Sequence, residues 1–370
     1  MAGAMEKELI LVTGVTGYIA GRTAEALLQA GYRVRGTVRD LSSARQTQKA
    51  LDEFGSQFEI AVVADIRVAG ALDEAMEGCF GVVQIAAPMK ISGQKAIPAV
   101  EEAVNIVNNV LESASEHQSV ETVVLMSSVS AIRRSSSGPY TFTEKDWNTE
   151  VEAIFKTDPD KMSGGMIYRA AKVAAERAFW KYRETNKPRF AMAAVNPSFV
   201  HGPPLVVPNS VFKIKGTTGF IVSIQAGLDG PDVFKAYPWW VDVRDVARAV
   251  VFCVQNHTDG ERFLAVSAYG PQQAVADVLR SVRPNSRVEK GVPGEGYAMP
   301  GYQAPENEDQ ILDGSKLVRV TGQDYIPYEQ SVVDTANAYE PLLANLGPSI
   351  YIKKLAQKIF SYLMPGISTQ

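Results

Sequence analysis

The fold is decided by residues 9–20, which have the sequence LILVTGVTGYIA and place a short apolar run directly before a glycine turn. The apolar run predicts a buried strand over Leu9–Thr13, and apolar residues at helical spacing predict a helix that begins at Tyr18. Gly14 permits the tight turn. Gly17 lets the backbone come close to a bound pyrophosphate, whose charge would lie at the N-terminus of the helix. In this strand–turn–helix context, the Gly-x-x-Gly spacing predicts a dinucleotide-binding site.

Short β-branched segments alternate with helical segments through about the first 200 residues. This alternation predicts βαβ units, and therefore an α/β protein with a Rossmann-type, doubly wound parallel sheet. The predicted strands are Leu9–Thr13, Arg33–Val38, Phe58–Val63, Gly81–Ala86, Thr122–Ser127 and Phe190–Asn196, and the predicted helices are Tyr18–Ala30, Ala69–Glu77, Ala96–Ser115 and Tyr168–Asn186.

The second half of the chain has a different composition from the first. Pro and Gly cluster after Pro197 and again after Gly291, and a helical segment at Asp242–Gln255 separates the two clusters. This pattern predicts a smaller C-terminal substrate domain, with one return of the chain to the large sheet. The predicted division is residues 1–198 with 238–258 for the dinucleotide-binding domain, 199–237 with 259–346 for the substrate-binding domain, and 347–370 for a C-terminal tail.

In the C-terminal tail, apolar residues recur at helical spacing from Ile352 to Leu363, and lysines occupy the opposite face. This pattern predicts a basic amphipathic helix. We expect the helix to pack on the body of the protein or on a second subunit, so that the protein is a monomer or a homodimer. Contact with a membrane surface is the alternative.

The composition is that of an ordinary globular protein, with 46% hydrophobic and 21% charged residues among 370. A net charge of −4 argues against nucleic acid as a partner. Cys79 and Cys253 form neither a CxxC motif nor a disulfide framework, and the three histidines are too scattered to suggest a metal site. The sequence shows neither a membrane-spanning run nor a signal peptide, so we expect a cytoplasmic protein.

The end of the second predicted strand indicates which cofactor binds. Arg39 follows the strand, and a guanidinium suits the 2′-phosphate of NADP, with Arg45 as a weaker second contact. Asp40 is the alternative, because a carboxylate at this position would hold the ribose 2′-hydroxyl of NAD. After the third strand, Asp65 would either accept a hydrogen bond from the adenine amino group or cap the following helix.

A second group of residues suits hydride-transfer chemistry. Tyr168 and Lys172 are four residues apart on a predicted helix and so share a face, and Ser128 lies after a strand, at the edge where α/β proteins bind ligands. Hydride transfer to a carbonyl leaves an oxyanion that must be protonated. Tyr168 would be the general acid, Ser128 would hydrogen-bond the same oxygen, and Lys172 would favour the phenolate and fix the nicotinamide ribose.

Taken together, these motifs resemble the extended short-chain dehydrogenase/reductases, and among them the dihydroflavonol-reductase-like group with its fungal ketone, aldehyde and methylglyoxal reductases. The resemblance spans about residues 8–340. It rests on Thr13–Ala20, Arg39, Asp65-Ile66, Ser127-Ser128, Tyr168 to Lys172 with Ala175-Glu176, Asn196-Pro197 running to His201-Gly202-Pro203, Trp240 to Ala247, Thr143 to Trp147 and Leu312 to Lys316.

The resemblance implies a catalytic triad of Ser128, Tyr168 and Lys172, and it implies that Arg39 selects NADP. It also places an asparagine that supports the proton relay at Asn109, although the bulky Ile106 before it departs from the family pattern. The full set expected to contact the cofactor is Thr13, Gly14, Thr16, Gly17, Tyr18, Ile19, Arg39, Asp65, Ile66, Ala86, Ala87, Tyr168, Lys172, Pro197 and Ser198.

Three functions remain open at this point. The first is an NADPH-dependent reductase of ketones or aldehydes with an apolar or aromatic body, and it agrees best with the residues above. The second is a redox-neutral epimerase or dehydratase of a nucleotide sugar, for which Lys213 and Lys215 could offer charge to a diphosphate. The third is a non-enzymatic NADP-sensing protein, which would tend to lack the tyrosine or the lysine.

Overall fold

A computed structural model of the protein describes residues 7–87, 94–214, 217–227, 239–284, 286–290 and 310–344. In chain order the strands are β1 Leu9–Val12, β2 Arg33–Val38, β3 Phe58–Val62, β4 Gly81–Gln84, β5 Thr122–Met126, β6 Tyr140–Phe142, β7 Ala191–Pro197, β8 Phe199–His201, β9 Trp239–Asp242, β10 Glu261–Ala265, β11 Ala268–Tyr269 and β12 Gln310–Leu312. The helices are α1 Tyr18–Gln29, α2 Leu41–Ala50, α3 Asp73–Met76, α4 Ala96–Glu116, α5 Thr149–Thr157, α6 Gly164–Asn186, α7 Thr218–Gln225, α8 Val243–Gln255, α9 Gln272–Val282, α10 Ser315–Thr321 and α11 Tyr328–Ala344.

The centre of the molecule is a seven-stranded sheet with the order β3-β2-β1-β4-β5-β7-β10, in which every neighbouring pair is parallel. Strand β1 is apolar throughout because both faces of the sheet are covered at its position. Within β1, Ile10 and Val12 belong to one core cluster, and Leu9 and Leu11 belong to the cluster on the other face. Helices α1, α2 and α8 cover the first face, whereas α3, α4 and α6 cover the second.

A smaller region lies beyond the large sheet. It contains a three-stranded sheet with the order β11-β9-β8 and a parallel pair, β6 with β12. Helices α7, α9 and α11 pack around a separate core cluster that includes Ile221, Val275 and Val332. These elements thus have a core of their own.

The segments that belong to the large sheet differ from those in the predicted division. Strand β10 lies in the substrate segment that begins at residue 259, yet it pairs with β7 and completes the large sheet. Strand β9 was expected to return to the large sheet but pairs with β8, while α8, which follows it, packs on the large sheet. The reason is that both β10 and α8 present apolar residues, such as Phe263 and Val250, that the large core buries.

All six predicted strands are present within two residues of their predicted bounds. Among the described helices, α2, α5, α7, α9, α10 and α11 were not predicted, and α3, predicted over Ala69–Glu77, is only the single turn Asp73–Met76. Helix α6 begins four residues before Tyr168, because Ser163 caps it through a hydrogen bond from the N–H of Met166. The predicted helix at residues 352–363 lies outside the described residues. Among the helices that the structure describes, none has the length and apolar character to span a bilayer.

Candidate active site

The turn between β1 and α1 brings backbone close to the position expected for a pyrophosphate. Gly14 has φ +68°, and a Cβ atom there would lie 3.1 Å from the Cβ of Ala86. A Cβ on Gly17 would lie 3.1 Å from the carbonyl oxygen of Gly14. Gly17 is also the N-cap residue of α1, and no side chain caps this helix. The turn therefore fits an anionic group at the N-terminus of α1, because the amide groups there have no capping side chain and larger residues would fill the space.

Thr13 holds this turn against the end of β4. Its buried hydroxyl oxygen accepts hydrogen bonds from the N–H groups of Ile85 (2.9 Å) and Ala86 (3.0 Å). The hydroxyl in turn lies 3.0 Å from Oε1 of Gln84, to which it donates. The side chain of Thr13 therefore holds the candidate residue Ala86, which Ala87 follows in the chain, beside the glycine turn.

The side chains of Tyr18 and Ile19 face the protein rather than an open site. The phenol of Tyr18 donates to the carbonyl oxygen of Gly202 at 2.8 Å, and burial raises the pKa of this phenol well above its usual range. Ile19 packs against the core cluster beneath α1. Of the turn residues, Thr16 is half-buried. A cofactor contact from Tyr18 or Ile19 would have to come from the backbone.

Arg39 and Asp40 have separate positions at the end of β2. Arg39 is exposed, whereas Asp40 is the N-cap of α2 and accepts hydrogen bonds from the hydroxyl of Ser42 and the N–H of Ser43 (2.9 Å). The Ser42 hydroxyl, followed by the Ser43 amide, lowers the pKa of this carboxyl. Asp40 is exposed as well, but its carboxylate already caps α2, whereas Arg39 is the positive charge at the end of the strand.

The loop after β3 places Asp65 in a bidentate pair. Arg67 Nε and Nη2 donate to the two carboxylate oxygens at 2.8 Å and 2.7 Å, and the Arg67 side chain lowers the pKa of this carboxyl to about 2. Asp65 does not cap α3, whose N-cap residue is Leu72. Nδ2 of Asn109, on α4, donates to the carbonyl oxygen of Ile66 at 3.2 Å, so this amide supports the loop.

Ser128, Tyr168 and Lys172 are brought to the same edge of the sheet. Ser128 lies two residues after the end of β5, is buried, and its hydroxyl oxygen accepts a hydrogen bond from the N–H of Ser130 at 3.1 Å. Lys172 Nζ donates to the carbonyl oxygen of Met126 at 3.1 Å. Tyr168 is half-buried one turn before Lys172 on the same helix. The lysine contact therefore fixes the face of α6 that carries the phenol beside the end of β5.

The turn after β7 lies at this edge too. Ser198 follows Pro197, is buried, and donates its N–H to the carbonyl oxygen of Ala265 at 3.1 Å. Because all seven strands are parallel, the residues after β1, β2, β3, β4, β5 and β7 lie along one edge, where open α/β sheets bind ligands.

His201 and Asp242 stand in the motifs of the sequence, but the sequence did not predict that they form a buried polar cluster on the substrate side. His201 is fully buried and its Nδ1 lies 2.6 Å from Oγ of Ser331, which donates to a carboxylate oxygen of Asp242. The histidine therefore donates to Ser331, and burial lowers its pKa to about 4. The position of Asp242 before an apolar helix was the available signal, because it caps α8 through the N–H of Arg244 at 2.8 Å.

A second missed residue is Arg262, on β10. It is buried, and its Nε donates to Oε1 of the fully buried Glu176 at 2.6 Å. An arginine directly before the apolar residues Phe263, Leu264 and Ala265 of a strand was the signal that could have indicated a buried ion pair.

Residues 10–266 match the NAD dependent epimerase/dehydratase family. The chain belongs to this family. The expected fold and the resemblance to the extended short-chain dehydrogenase/reductases are thereby confirmed.

Proteins similar to this chain include reductases. The ketoreductase adrE of Penicillium roqueforti is 33% identical, over 75% of this chain and 81% of its own length. Aldehyde reductase 2 of Sporidiobolus salmonicolor is 32% identical, over 82% of this chain and 90% of its own. Among solved structures, the yeast methylglyoxal/isovaleraldehyde reductase Gre2 complexed with NADPH superposes with a TM-score of 0.79 at 25% identity, covering 91% of this chain and 100% of that one.

Proposed function

We propose that the protein is an NADPH-dependent carbonyl reductase in which Tyr168 protonates the oxygen of a ketone or aldehyde with an apolar or aromatic body. The protein is an NADP-dependent oxidoreductase, in keeping with its ketoreductase and aldehyde reductase relatives and with the NADPH-bound reductases of the same fold. The observation that supports the finer proposal is the 3.1 Å hydrogen bond from Lys172 Nζ to the carbonyl oxygen of Met126, two residues before Ser128, because Lys172 shares its face of α6 with Tyr168.

The residues present suit NADPH. The turn at Gly14 and Gly17 would take the pyrophosphate, and the exposed guanidinium of Arg39 would take the 2′-phosphate. Bound NADPH supplies the hydride. Pro197 and Ser198, at the ends of β7 and beside β10, would border the nicotinamide.

The proton chemistry belongs to the protein's own side chains. Tyr168 donates its phenol proton to the carbonyl oxygen, which Ser128 also hydrogen-bonds. The ammonium of Lys172 stabilises the phenolate that remains, since opposite charges on one helix face attract. The half-buried position of Tyr168 leaves part of the ring accessible to a substrate.

Apolar side chains next to these groups favour an apolar substrate body. Val129 directly follows Ser128, and Phe199 directly follows Ser198, and each is a partly buried residue at the margin of a core cluster. A nucleotide sugar would need positive charge for its diphosphate. Of the two candidate lysines, the structure describes Lys213, at the end of a short helical turn before α7. The epimerase or dehydratase reaction therefore stands as the alternative.

The proposal is tested by titrating tryptophan fluorescence with NADPH and with NADH, and then following the loss of NADPH absorbance with a panel of aldehydes and ketones. We expect tighter binding of NADPH and turnover of apolar or aromatic carbonyls. Conversion of a nucleotide sugar without net cofactor oxidation would favour the alternative. Binding without any turnover would favour an NADP-sensing role and contradict the proposal.

A further inference from the structure

The carboxylate of Glu176 is fully buried and receives hydrogen bonds from several elements of the fold. Its Oε2 accepts from Oγ of Ser127 at 2.5 Å and from Nδ2 of Asn196 at 2.8 Å. Its Oε1 accepts from Nε of Arg262 at 2.6 Å and from Nε1 of Trp180 at 3.2 Å. One side chain on α6 thus connects the ends of β5 and β7 with the start of β10.

The charge of Glu176 is matched by that of Arg262. The guanidinium of Arg262 also donates through Nη1 to the carbonyl oxygens of Glu144 and Asp146, both at 2.6 Å, and lies 4.0 Å from the ring centre of Trp147. A buried ion pair of this kind adds little net stability over apolar residues of the same volume, because both charges must leave water. What it does provide is a single, specific arrangement of the elements that it joins.

That arrangement includes the residues at the end of β5. The carbonyl oxygen of Met126 accepts from Lys172, the hydroxyl of Ser127 donates to Glu176, and the carbonyl oxygen of Ser128 accepts from Nδ2 of Asn196 at 3.2 Å. Three consecutive residues are therefore each held by a different side chain. Nδ2 of Asn196 donates both to the carboxylate of Glu176 and to the carbonyl oxygen of Ser128, so Asn196 links these two residues.

Glu176 follows Lys172 by one helical turn, as Lys172 follows Tyr168, so all three lie on one face of α6. We infer that Glu176 is a positioning residue that, with Ser127 and Arg262, fixes Ser128 relative to Tyr168 for proton transfer. The inference rests on the proposed function. A displacement of about 1 Å in such a group is enough to reduce turnover by roughly 100-fold.

The decisive variant is Ser127→Ala, because Glu176→Gln would leave Arg262 unpaired and could unfold the protein. Ser127→Ala removes one hydroxyl and leaves the ion pair in place. We expect its kcat to fall by about tenfold or more, with KM for the carbonyl and the dissociation constant for NADPH within about twofold of wild type. Ser127→Thr restores the hydroxyl and should recover most of the lost kcat.

The matched control is Ser115→Ala, which removes a serine hydroxyl 2.7 Å from the phenol oxygen of Tyr182, between the C-terminal parts of α4 and α6. We expect a similar small loss of thermal stability and an unchanged kcat. A readout without cofactor is amide exchange of the segment that contains Ser130, whose N–H is bonded to Ser128 Oγ. In the free protein this segment should exchange faster in Ser127→Ala than in wild type or Ser115→Ala.

The outcomes separate the inference from the function. If wild-type protein reduces carbonyls and Ser127→Ala equals it in kcat, the inference is wrong and the proposed function stands. The inference is also wrong if kcat, KM and NADPH affinity all deteriorate together in proportion to lost stability, because the role is then structural. If wild-type protein reduces no carbonyl at all, the proposed function is wrong and the inference fails with it.

Discussion

The phenol of Tyr18 is hydrogen-bonded to the carbonyl oxygen of Gly202 at 2.8 Å, and this contact joins the glycine turn to the loop after β8. Arg22, one turn further along α1, donates to the carbonyl oxygens of Pro203 (2.8 Å) and Pro204 (3.1 Å). Gly202 itself has φ +115°, and a Cβ there would lie 2.8 Å from a carboxylate oxygen of Asp242. The start of the dinucleotide-binding segment and the start of the substrate-side segment are therefore held together.

The first prediction concerns this contact. Tyr18→Phe should lower the free energy of unfolding by about 1–3 kcal/mol, because the carbonyl oxygen of Gly202 loses its buried donor. Urea denaturation measures the effect. Tyr32→Phe is the control, since Tyr32 is a partly buried tyrosine against the same core cluster and should change stability less. Equal stability of Tyr18→Phe and wild type would show that the contact contributes nothing.

The second prediction concerns the proton donor. Tyr168→Phe should bind NADPH with wild-type affinity but lose roughly 100- to 10,000-fold in kcat, because the carbonyl oxygen then has no general acid. Tyr182→Phe changes a tyrosine on the same helix whose phenol contacts Ser115, and it should retain kcat. Fluorescence titration with NADPH gives the affinity, and initial rates at saturating NADPH and saturating carbonyl give kcat. Retention of most activity in Tyr168→Phe would exclude this residue as the donor.

The third prediction concerns cofactor choice. Arg39→Gln should weaken NADPH binding by about tenfold or more while leaving NADH binding nearly unchanged, because the charge-assisted hydrogen bonds to the 2′-phosphate are lost. Arg45→Gln removes another exposed positive charge, from α2, and should have a smaller effect. Fluorescence titration of both variants with both nucleotides is the measurement. A parallel loss of NADPH and NADH affinity in Arg39→Gln would contradict selection by this residue.

The fourth prediction is a dependence of stability on pH through His201. Its folded pKa, about 4, lies below the ordinary value of 6.5 because the ring is buried, so the unfolded chain binds the proton more readily. The stabilising contribution is present above pH 6.5 and is lost as pH falls toward 4. Between pH 7 and pH 5 the loss should be roughly 2 kcal/mol. The free energy of unfolding, measured at pH 7 and at pH 5, should therefore fall by roughly 2 kcal/mol more in wild type than in His201→Asn.

Asp245 acts in the opposite direction in the same pH range, because burial raises its pKa to about 6 and protonation then favours the folded state. Comparison of the two proteins removes this shared contribution. If wild type and His201→Asn lose the same stability on acidification, the buried histidine is not the cause.

The turn at residues 9–20 was predictable because a short apolar strand followed by glycines has few alternatives, and all six early strands follow from similar runs. Helix α2 was not predictable, because it buries only Ala44 and Thr47 and depends on the Asp40 cap. The pairing of Asp65 with Arg67 could have been foreseen from their spacing of two residues. The Glu176–Arg262 pair could not, because it depends on β10 lying beside β7.

The sheet order has a consequence for the growing polypeptide on the ribosome. The elements that would hold the nucleotide, β1 and α1 with β2, are complete early in synthesis, whereas the guanidinium that neutralises Glu176 arrives only with β10, after more than half of the chain has been made. Nascent protein would thus acquire its nucleotide pocket well before the end of β5 reaches its final arrangement. Premature termination before residue 262 should leave a chain that is unable to complete the edge where carbonyl reduction is proposed to occur.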